Sequence, residues 1–280
     1  MSRPQLVRRP HPPQGMMADI PALLLAGCPH REVGARLVAL EPGVAAGCRE
    51  MTAEARAMGL AVGAAVADGQ PLAAGHVLAE LSGPPLAVLQ AEDRLLGMVG
   101  KFSGVARAAS QARELAGRVR VVCGAWKKMP LELKQGLRRA LEAGGVDTRI
   151  IGTPMVYLSK NHLRVLGSVG RAMDAALAIP GRDVVIQICG ETGLIHLEAQ
   201  EAVSRGAKVV FVDTGRLDDL NAVAGHLRGL GLRGEVQLAF AGGITLDDLP
   251  GLASADLDVV DLGRALIDAP LLDLRYQVMP

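Results

Sequence analysis

Beyond Gly117 the chain alternates short apolar runs with helical patterns, and this rhythm restricts its fold more than any other feature. Helical segments such as Leu131–Ala143 and Leu217–Leu230 separate most of the runs. Fully apolar strands joined by helices indicate a parallel sheet that is covered on both faces. We therefore predict a small seven-stranded α/β barrel domain over residues 117–268 rather than an open sheet. Its candidate strands are Val119–Cys123, Thr148–Ile151, Met155–Leu158, Asp183–Ile188, Lys208–Val212, Val236–Phe240 and Asp258–Leu262.

The residues before this repeat have a different order, with short strands first and helices afterwards. Strand patterns at Ala35–Ala39 and Val77–Leu81 precede two predicted helices, Leu86–Val99 and Gly104–Leu115. Such an order is typical of an α+β unit. We predict an N-terminal α/β sandwich domain made of residues 16–116 together with a strand-like tail, residues 269–280. Residues 1–15, which are rich in proline and arginine, predict a disordered tail.

Charge and cysteine content exclude several classes of function. The formal net charge is only +1 and aromatic residues make up 2% of the chain, so neither nucleic acid nor a membrane surface is an expected partner. The four cysteines have no paired spacing, which indicates neither a zinc site nor a disulfide framework. Leu24–Cys28 resembles a lipoprotein cleavage site, but Asp19 and Pro21 interrupt the apolar region before it. We predict a cytoplasmic protein.

Glycine turns follow the last two candidate barrel strands. Gly242 and Gly243 end one strand, Gly263 ends the next, and Thr245 is a good N-cap for a helix after the first turn. Glycines at the carboxyl ends of adjacent parallel strands let backbone N–H groups approach an anion closely. The alternative is that these glycines only turn the chain. We predict a site for a phosphorylated small molecule here.

Other strand ends add charged and polar side chains to the same rim. We predict catalytic roles for Lys127, Arg149, Lys160 and Asp213, with Asp213 also available to a metal ion such as Mg²⁺ or to a sugar hydroxyl. Trp126, the single tryptophan, is either core filling or a flat wall for a ring or a cation. The predicted substrate-binding residues are Trp126, Thr148, Ser159, Gln187, Glu191, Gly242, Gly243, Gly263 and Arg264.

Several segments together resemble the quinolinate phosphoribosyltransferase family, the carboxylating nicotinate-nucleotide diphosphorylases of NAD synthesis. They are Glu41–Gly47, Phe102–Ala106, Met155–Leu163, Ala241–Leu246 and Ala269–Leu274. The resemblance implies an α/β sandwich followed by a seven-stranded α/β barrel. It also implies a homodimer whose sites include residues from both subunits, and phosphoribosyl pyrophosphate as the donor. The residues that match include Lys127, Asp213 and the glycines, which would hold the phosphate and ribose.

The resemblance fails mostly at positions where the family grips the two carboxylates of quinolinate. Trp126 stands for an arginine, Thr148 for a histidine, Ser159 for a lysine, Lys160 for an aspartate, Gln187 for a glutamate and Asp93 for an arginine. Glu191 is a candidate replacement for the glutamate. Hydrogen bonds to charged groups contribute about 1.5–3 kcal/mol each, so losing three cations would cost ~5–9 kcal/mol. From this we expect a divergent member with an acceptor other than quinolinate.

Three functions follow from these residues. The leading one is a divergent phosphoribosyltransferase that places a less anionic ring near Trp126 and uses Mg²⁺ at Asp213. A second is Schiff-base or enolate chemistry by Lys160, a lysine at a barrel-strand end. A third is a pseudoenzyme that binds a phosphate ligand without catalysis, since several family positions differ.

Overall fold

The computed structural model describes residues 20–29 and 31–279, so the tail predicted over residues 1–15 lies outside the described residues. The first part of the chain forms a layer of strands and helices. In chain order its elements are α1 (Ile20–Leu24), β1 (Val33–Ala39), β2 (Gly43–Val44), α2 (Cys48–Ala57), β3 (Ala61–Ala65), β4 (Pro71–Leu72), β5 (Val77–Gly83) and α3 (Pro85–Leu115).

The second part alternates strands and helices as the sequence predicts. Its elements are β6 (Arg120–Val122), α4 (Leu131–Ala143), β7 (Met155–Leu158), α5 (Lys160–Leu166), α6 (Val169–Leu177), β8 (Asp183–Ile188), α7 (Ile195–Ser204), β9 (Val209–Asp213), α8 (Leu217–Gly229), β10 (Gln237–Ala241), α9 (Leu249–Leu252), β11 (Val259–Asp261), α10 (Arg264–Ile267) and β12 (Leu274–Met279). Short 3₁₀ helices cover Ala125–Lys128 and Arg233–Glu235.

The first sheet is antiparallel, with strand order β12-β1-β5-β3. Alternate residues of β1 are buried, as expected for a strand with one face on a core. Helices α2 and α3 cover that face, and Leu37, Met51, Leu78 and Leu95 are among the side chains that fill the core between them. The strand β12 comes from the far end of the chain and pairs with β1 from Gly34↔Met279 to Ala39↔Leu274. The domain boundaries at residues 116 and 269 remain predictions.

The second sheet is parallel, with strand order β6-β11-β10-β9-β8-β7, and it confirms the predicted fold class. The prediction of a strand at Thr148–Ile151, one of the seven candidates, is wrong. Residues 148–151 form no strand, and the neighbouring Asp147 makes a single parallel bridge to Val122. Side chains bind the carbonyls that a neighbouring strand would need. The Trp126 Nε1 atom donates to the Thr148 carbonyl at 3.2 Å, and the Arg120 guanidinium donates to the Ile150 carbonyl.

A single helix, α3, replaces the two helices predicted before residue 116. Glycines at the predicted junction between the two helices allow close packing. A Cβ atom on Gly104 would lie 2.0 Å from the Pro270 carbonyl oxygen. One turn earlier, the Leu272 N–H donates to the Gly100 carbonyl at 2.9 Å. The amino-terminal half of α3 packs into the core of the first sheet, and its carboxyl-terminal half packs into the core under the second.

The parallel sheet brings the carboxyl ends of six strands to one edge, and loops that follow these strands line a recess. Within residues 20–29 and 31–279, no helix combines the length and apolar character needed to cross a bilayer.

Replacing Gly104 with alanine should destabilise the fold by about 1–3 kcal/mol or more, because the added methyl group meets backbone that cannot move aside. Urea denaturation measures the free energy of unfolding. The matched control is Gly97→Ala in the same helix, where an added Cβ meets open space and helix propensity should leave stability unchanged or raised. Equal effects of the two substitutions would contradict the packing role of Gly104.

Candidate functional site

A cavity of about 810 Å³ opens at the carboxyl ends of the parallel strands. It collects residues from loops that are far apart in the sequence, as the reading of strand ends predicts. Its volume is in the range of small-molecule sites. The predicted site residues that line it are Lys127, Ser159, Lys160, Gln187, Asp213, Gly242, Gly243, Gly263 and Arg264.

A second cavity, of about 330 Å³, adjoins the first. Trp126, Thr148 and Arg149 line this smaller cavity and not the larger one. The two cavities share a wall made of Gly124, Lys127, Tyr157, Phe211 and Asp261. The arrangement therefore provides two adjoining compartments, with the Lys127 side chain between them.

The glycine rim is built on a direct backbone contact between two loops. The Gly215 N–H donates to the Ala241 carbonyl at 2.8 Å, and a Cβ atom on Gly242 would lie 2.3 Å from the Gly215 nitrogen. Gly242 also has φ +115°, and Gly243 has φ +78°, conformations that favour glycine. In these turns, main chain without side chains lines the larger cavity, next to Gly263, which follows β11.

The helices behind these turns are shorter than the sequence suggests. Thr245 does not cap a helix; its N–H and hydroxyl both donate to the Asp248 carboxylate, at 2.8 and 2.7 Å, and α9 begins only at Leu249. Both α9 and α10 are four residues long. A macrodipole needs aligned peptide units over several turns. Stabilisation of an anion at this rim must therefore come from local N–H groups and from nearby cations.

The Asp213 carboxylate is the polar centre of the larger cavity. Its Oδ2 atom accepts a hydrogen bond from the Gln187 side-chain amide and forms an ion pair with the Lys160 Nζ atom at 3.4 Å. The Gln187 Oε1 atom in turn accepts from the Lys160 N–H at 3.0 Å. Gln187 thus fixes both a carboxylate and the start of α5.

Ser159 has a structural task at the same place. It is the N-cap of α5, and it forms a capping box with His162, whose Nδ1 atom lies 2.8 Å from the Ser159 hydroxyl. Capping orients the first turn of the helix, which carries Lys160 toward Asp213.

Asp261 is a site residue that the sequence analysis did not select. It ends β11, lines both cavities, and accepts a hydrogen bond from the Gly124 N–H at 3.1 Å. Burial raises the pKa of its carboxyl above the ordinary value, although the Gly124 hydrogen bond and the charge of Lys127 oppose that rise. The sequence signal that could have identified Asp261 is its position, an acidic residue at the end of an otherwise apolar strand.

Arg138 was also missed, because an arginine on an amphipathic helix usually lies in solvent. It extends from α4 over Trp126, with the guanidinium carbon 4.8 Å from the ring centroid. Together with Lys127 and Arg149 it lines the smaller cavity. Trp126 thus serves as a wall for a cation, and it is held by its hydrogen bond to the Thr148 carbonyl.

The structure does not bring Glu191 into either cavity. Its carboxylate forms a two-fold contact with the Arg164 guanidinium, with one hydrogen bond of 2.6 Å. Buried Glu198 holds the loop in which it lies by accepting hydrogen bonds from the Gly190 and Thr192 N–H groups, at 2.8 and 2.7 Å. Glu191 therefore lies outside both cavities, in a loop held by contacts to α5 and α7, and its predicted substrate-binding role stays a prediction.

Comparisons with known proteins cover almost the whole chain. The family model described as "Quinolinate phosphoribosyl transferase, C-terminal domain" matches residues 105–277, and its N-terminal counterpart matches residues 19–103. A probable nicotinate-nucleotide pyrophosphorylase (carboxylating) from Archaeoglobus fulgidus is 28% identical over 254 residues, which are 90% of this chain and 96% of the relative. The human nicotinate-nucleotide pyrophosphorylase (carboxylating) is 30% identical over 250 residues, with 87% and 82% covered.

Solved structures agree on the fold. The nicotinate-nucleotide pyrophosphorylase from Francisella tularensis has a TM-score of 0.77 to this chain at 20% identity, with 94% of this chain and 91% of that one covered. NadC from Streptococcus pyogenes has a TM-score of 0.75 at 21% identity, with 90% of this chain and 88% of that one covered. At these identities the likeness is one of fold alone.

We expect Gly242→Ala to weaken the binding of inorganic pyrophosphate about tenfold or more. A residue other than glycine in such a conformation costs on the order of 1–3 kcal/mol, and the new methyl group would push the two loops apart. Isothermal titration calorimetry measures the affinity. Gly251→Ala is the control, since its Cβ would meet open space and its φ is not positive. Unchanged affinity in Gly242→Ala would refute the importance of this rim.

A second expectation concerns pH. A carboxyl whose pKa is higher in the folded state binds protons more tightly there, so the fold loses stability as pH rises from about 3.9 through the folded value. Asp261→Asn should remove this loss and be more stable than the unsubstituted protein at pH 7.5, with the difference shrinking toward pH 4.5. Thermal denaturation across that range tests it. A stability difference between Asp261→Asn and the unsubstituted protein that stays constant from pH 4.5 to pH 7.5 would contradict this expectation.

Proposed function

The chain belongs to the quinolinate phosphoribosyltransferase family, and from that premise we propose that it transfers a phosphoribosyl group to quinolinate. The observation that carries this proposal is the pair of adjoining cavities. One has a rim of bare main chain suited to phosphates, and the other is small, partly aromatic and lined by cations. The two cavities adjoin at Lys127, so the phosphoribosyl donor and the acceptor ring would react beside this lysine.

The expectation of an acceptor other than quinolinate is wrong. It is overturned by relatives that span most of the chain and are named carboxylating nicotinate-nucleotide pyrophosphorylases, among them the human protein. The same relatives overturn the Schiff-base and pseudoenzyme alternatives. The expectation of another acceptor counted Trp126 as a position where a cation is lost. In the fold, the Arg138 guanidinium lies over the Trp126 ring. Lys160, moreover, is ion-paired with Asp213, whereas a Schiff-base lysine must offer a free amine.

The larger cavity would bind the phosphoribosyl donor. Main-chain N–H groups of the glycine turns line the same cavity as three cations at other strand ends, Lys127, Lys128 and Lys160. These groups are suited to a pyrophosphate group that gains negative charge as its bond to the ribose breaks. Lys127 and Lys128 follow β6 on a short 3₁₀ turn, which points two cations into one recess.

Mg²⁺ belongs to this proposal as a companion of the donor. Both contacts of Asp213 fall on Oδ2, which leaves its Oδ1 atom available as a single carboxylate ligand. Among residues 20–29 and 31–279, no group of three or more His, Cys, Asp or Glu side chains could hold a metal ion. Mg²⁺ is commonly bound through one or two carboxylates together with substrate phosphates. When bound, the ion would neutralise phosphate charge, with Asp213 as its protein ligand.

The smaller cavity would bind the acceptor ring. Quinolinate carries two carboxylates, and Lys127, Arg138 and Arg149 supply positive charge around a space of about 330 Å³. Its ring nitrogen would attack the donor sugar carbon while pyrophosphate leaves, and one carboxylate is then released as carbon dioxide, with a proton taking its place. Catalysis in this scheme is mainly positioning and electrostatic stabilisation by the protein's cations.

The homodimer implied by the sequence resemblance remains a prediction. Asp93, which stands where the resemblance places an arginine that reaches into the partner's site, is exposed on α3. Light scattering after gel filtration would measure the oligomeric state.

The protein should convert quinolinate and phosphoribosyl pyrophosphate, with Mg²⁺, into nicotinate mononucleotide, pyrophosphate and carbon dioxide. Liquid chromatography of the nucleotide and ³¹P spectroscopy of pyrophosphate provide two independent measurements. Lys127→Ala should lower kcat/KM about 100-fold or more, since the lysine borders both compartments. Lys208→Ala, an exposed lysine outside both cavities, is the control. No nucleotide formation by the unsubstituted protein would refute the proposed function.

A further inference from the structure

Arg138 and its neighbour Arg139 occupy successive positions of α4 but have different surroundings. The Arg139 guanidinium forms an ion pair with the Glu50 carboxylate. Arg138 has no such partner, because within the described residues no carboxylate forms an ion pair with it. The buried Nε atoms of both arginines lack a hydrogen-bond partner, so the ion pair is what distinguishes them. Its contact is with the face of Trp126. One arginine is thus neutralised within the fold, and the other keeps its hydrogen-bonding capacity free.

Two acids near Arg138, one on the same helix and one in the same cavity, each accept a hydrogen bond from another group. Glu142, one helical turn later, accepts a hydrogen bond from the Thr148 hydroxyl at 3.2 Å. Asp261, the acid that lines the smaller cavity, accepts from the Gly124 N–H. A partly buried guanidinium without a counter-ion is costly unless an anion binds beside it. The cavity that Arg138 lines is where such an anion would be placed.

Trp126 determines where the guanidinium lies. Its indole is fixed by the hydrogen bond from Nε1 to the Thr148 carbonyl at 3.2 Å. The flat guanidinium group stacks well on an aromatic face, and stacking leaves its N–H groups at the edge free for a carboxylate. A fixed ring of this kind reduces the freedom that a long arginine side chain would otherwise lose on binding.

We propose that Arg138, positioned by the Trp126 ring, binds a carboxylate of the acceptor in the smaller cavity. The proposal rests on the proposed function for the identity of the acceptor, quinolinate. It assigns substrate binding to Arg138 and a positioning role to Trp126. Arg149 and Lys127, which line the same cavity, supply the remaining positive charge.

The test compares Arg138→Met with Arg139→Met, two substitutions that remove one charge each from adjacent positions. Arg138→Met should raise the KM for quinolinate about 10- to 100-fold, the range for a lost hydrogen bond to a charged group, with a smaller change in kcat. The affinity for pyrophosphate, measured by calorimetry, should not change, because Arg138 does not line the larger cavity. Arg139→Met should change neither value, although its melting temperature is expected to fall with the loss of the Glu50 ion pair.

Trp126 variants test the positioning role. Trp126→Phe keeps an aromatic face and should raise KM only a few-fold, whereas Trp126→Leu should approach the effect of Arg138→Met. In the double variant Trp126→Leu/Arg138→Met the effects should be less than additive, because both changes remove one interaction. Fully additive effects would overturn the positioning role of Trp126.

Direct binding separates this inference from the proposed function. Quinolinate and nicotinate are titrated into each variant by calorimetry, without the donor. Loss of binding in Arg138→Met but not in Arg139→Met supports the inference even if the unsubstituted protein forms no nucleotide. Normal turnover with equal KM values in the two methionine variants overturns the inference and leaves the proposed function intact. If the unsubstituted protein binds neither acid, the inference fails as well.

Discussion

The backbone contact between Gly215 and Ala241 is the constraint on which the site depends. It joins the loops that follow β9 and β10, and it leaves no space for a side chain at Gly242. Because the two strands are also paired in register up to Ala241↔Asp213, the position of the Asp213 carboxylate is fixed relative to the bare main chain of the next turn. Phosphate-binding main chain and a polar side chain thus occupy one rim, held by the sheet itself.

Charge is distributed unevenly between the two compartments. In the larger cavity, cations and acids are partly matched, as with Lys160 and Asp213. In the smaller cavity, Asp261 is the one acid among three cations, and burial favours its neutral form by raising its pKa. Excess positive charge in a small space attracts an anion strongly, because water there screens charge less effectively than in bulk solvent. A ring that carries carboxylates matches that field better than a neutral one.

Much of the fold could be predicted from the chain, because apolar strands alternating with helices allow few arrangements. The parallel direction of the strands in the second sheet and the positions of the glycine turns could be predicted from local sequence pattern alone. The segment at Thr148–Ile151 could not, since whether an apolar run joins a sheet depends on distant side chains such as Trp126 and Arg120. The prediction of two helices in place of α3 was wrong for a similar reason. The backbone that packs on Gly104 lies more than 160 positions away in the sequence.

The site was harder to predict than the fold. Residues at strand ends could be found by position, and nearly all of them line one of the two cavities. Arg138 could not be found in this way, because it reaches the smaller cavity from the middle of a helix. Comparing motifs one position at a time also misses a charge that is lost at one position and supplied from another. The expectation of another acceptor rested on such a comparison, and the relatives that span most of the chain contradict it.

The pairing of β1 with β12 has a consequence for how the molecule forms. Residues 34 and 279 are opposite each other in the first sheet, so that sheet gains its outer strand only after the intervening barrel residues have been made. Until then one side of β1 presents unpaired N–H and C=O groups, the kind of edge that promotes association between chains. High contact order of this sort slows folding. During synthesis, a nascent chain would therefore expose the unpaired edge of β1 until β12 has been made, and chaperones would protect it from association during that period.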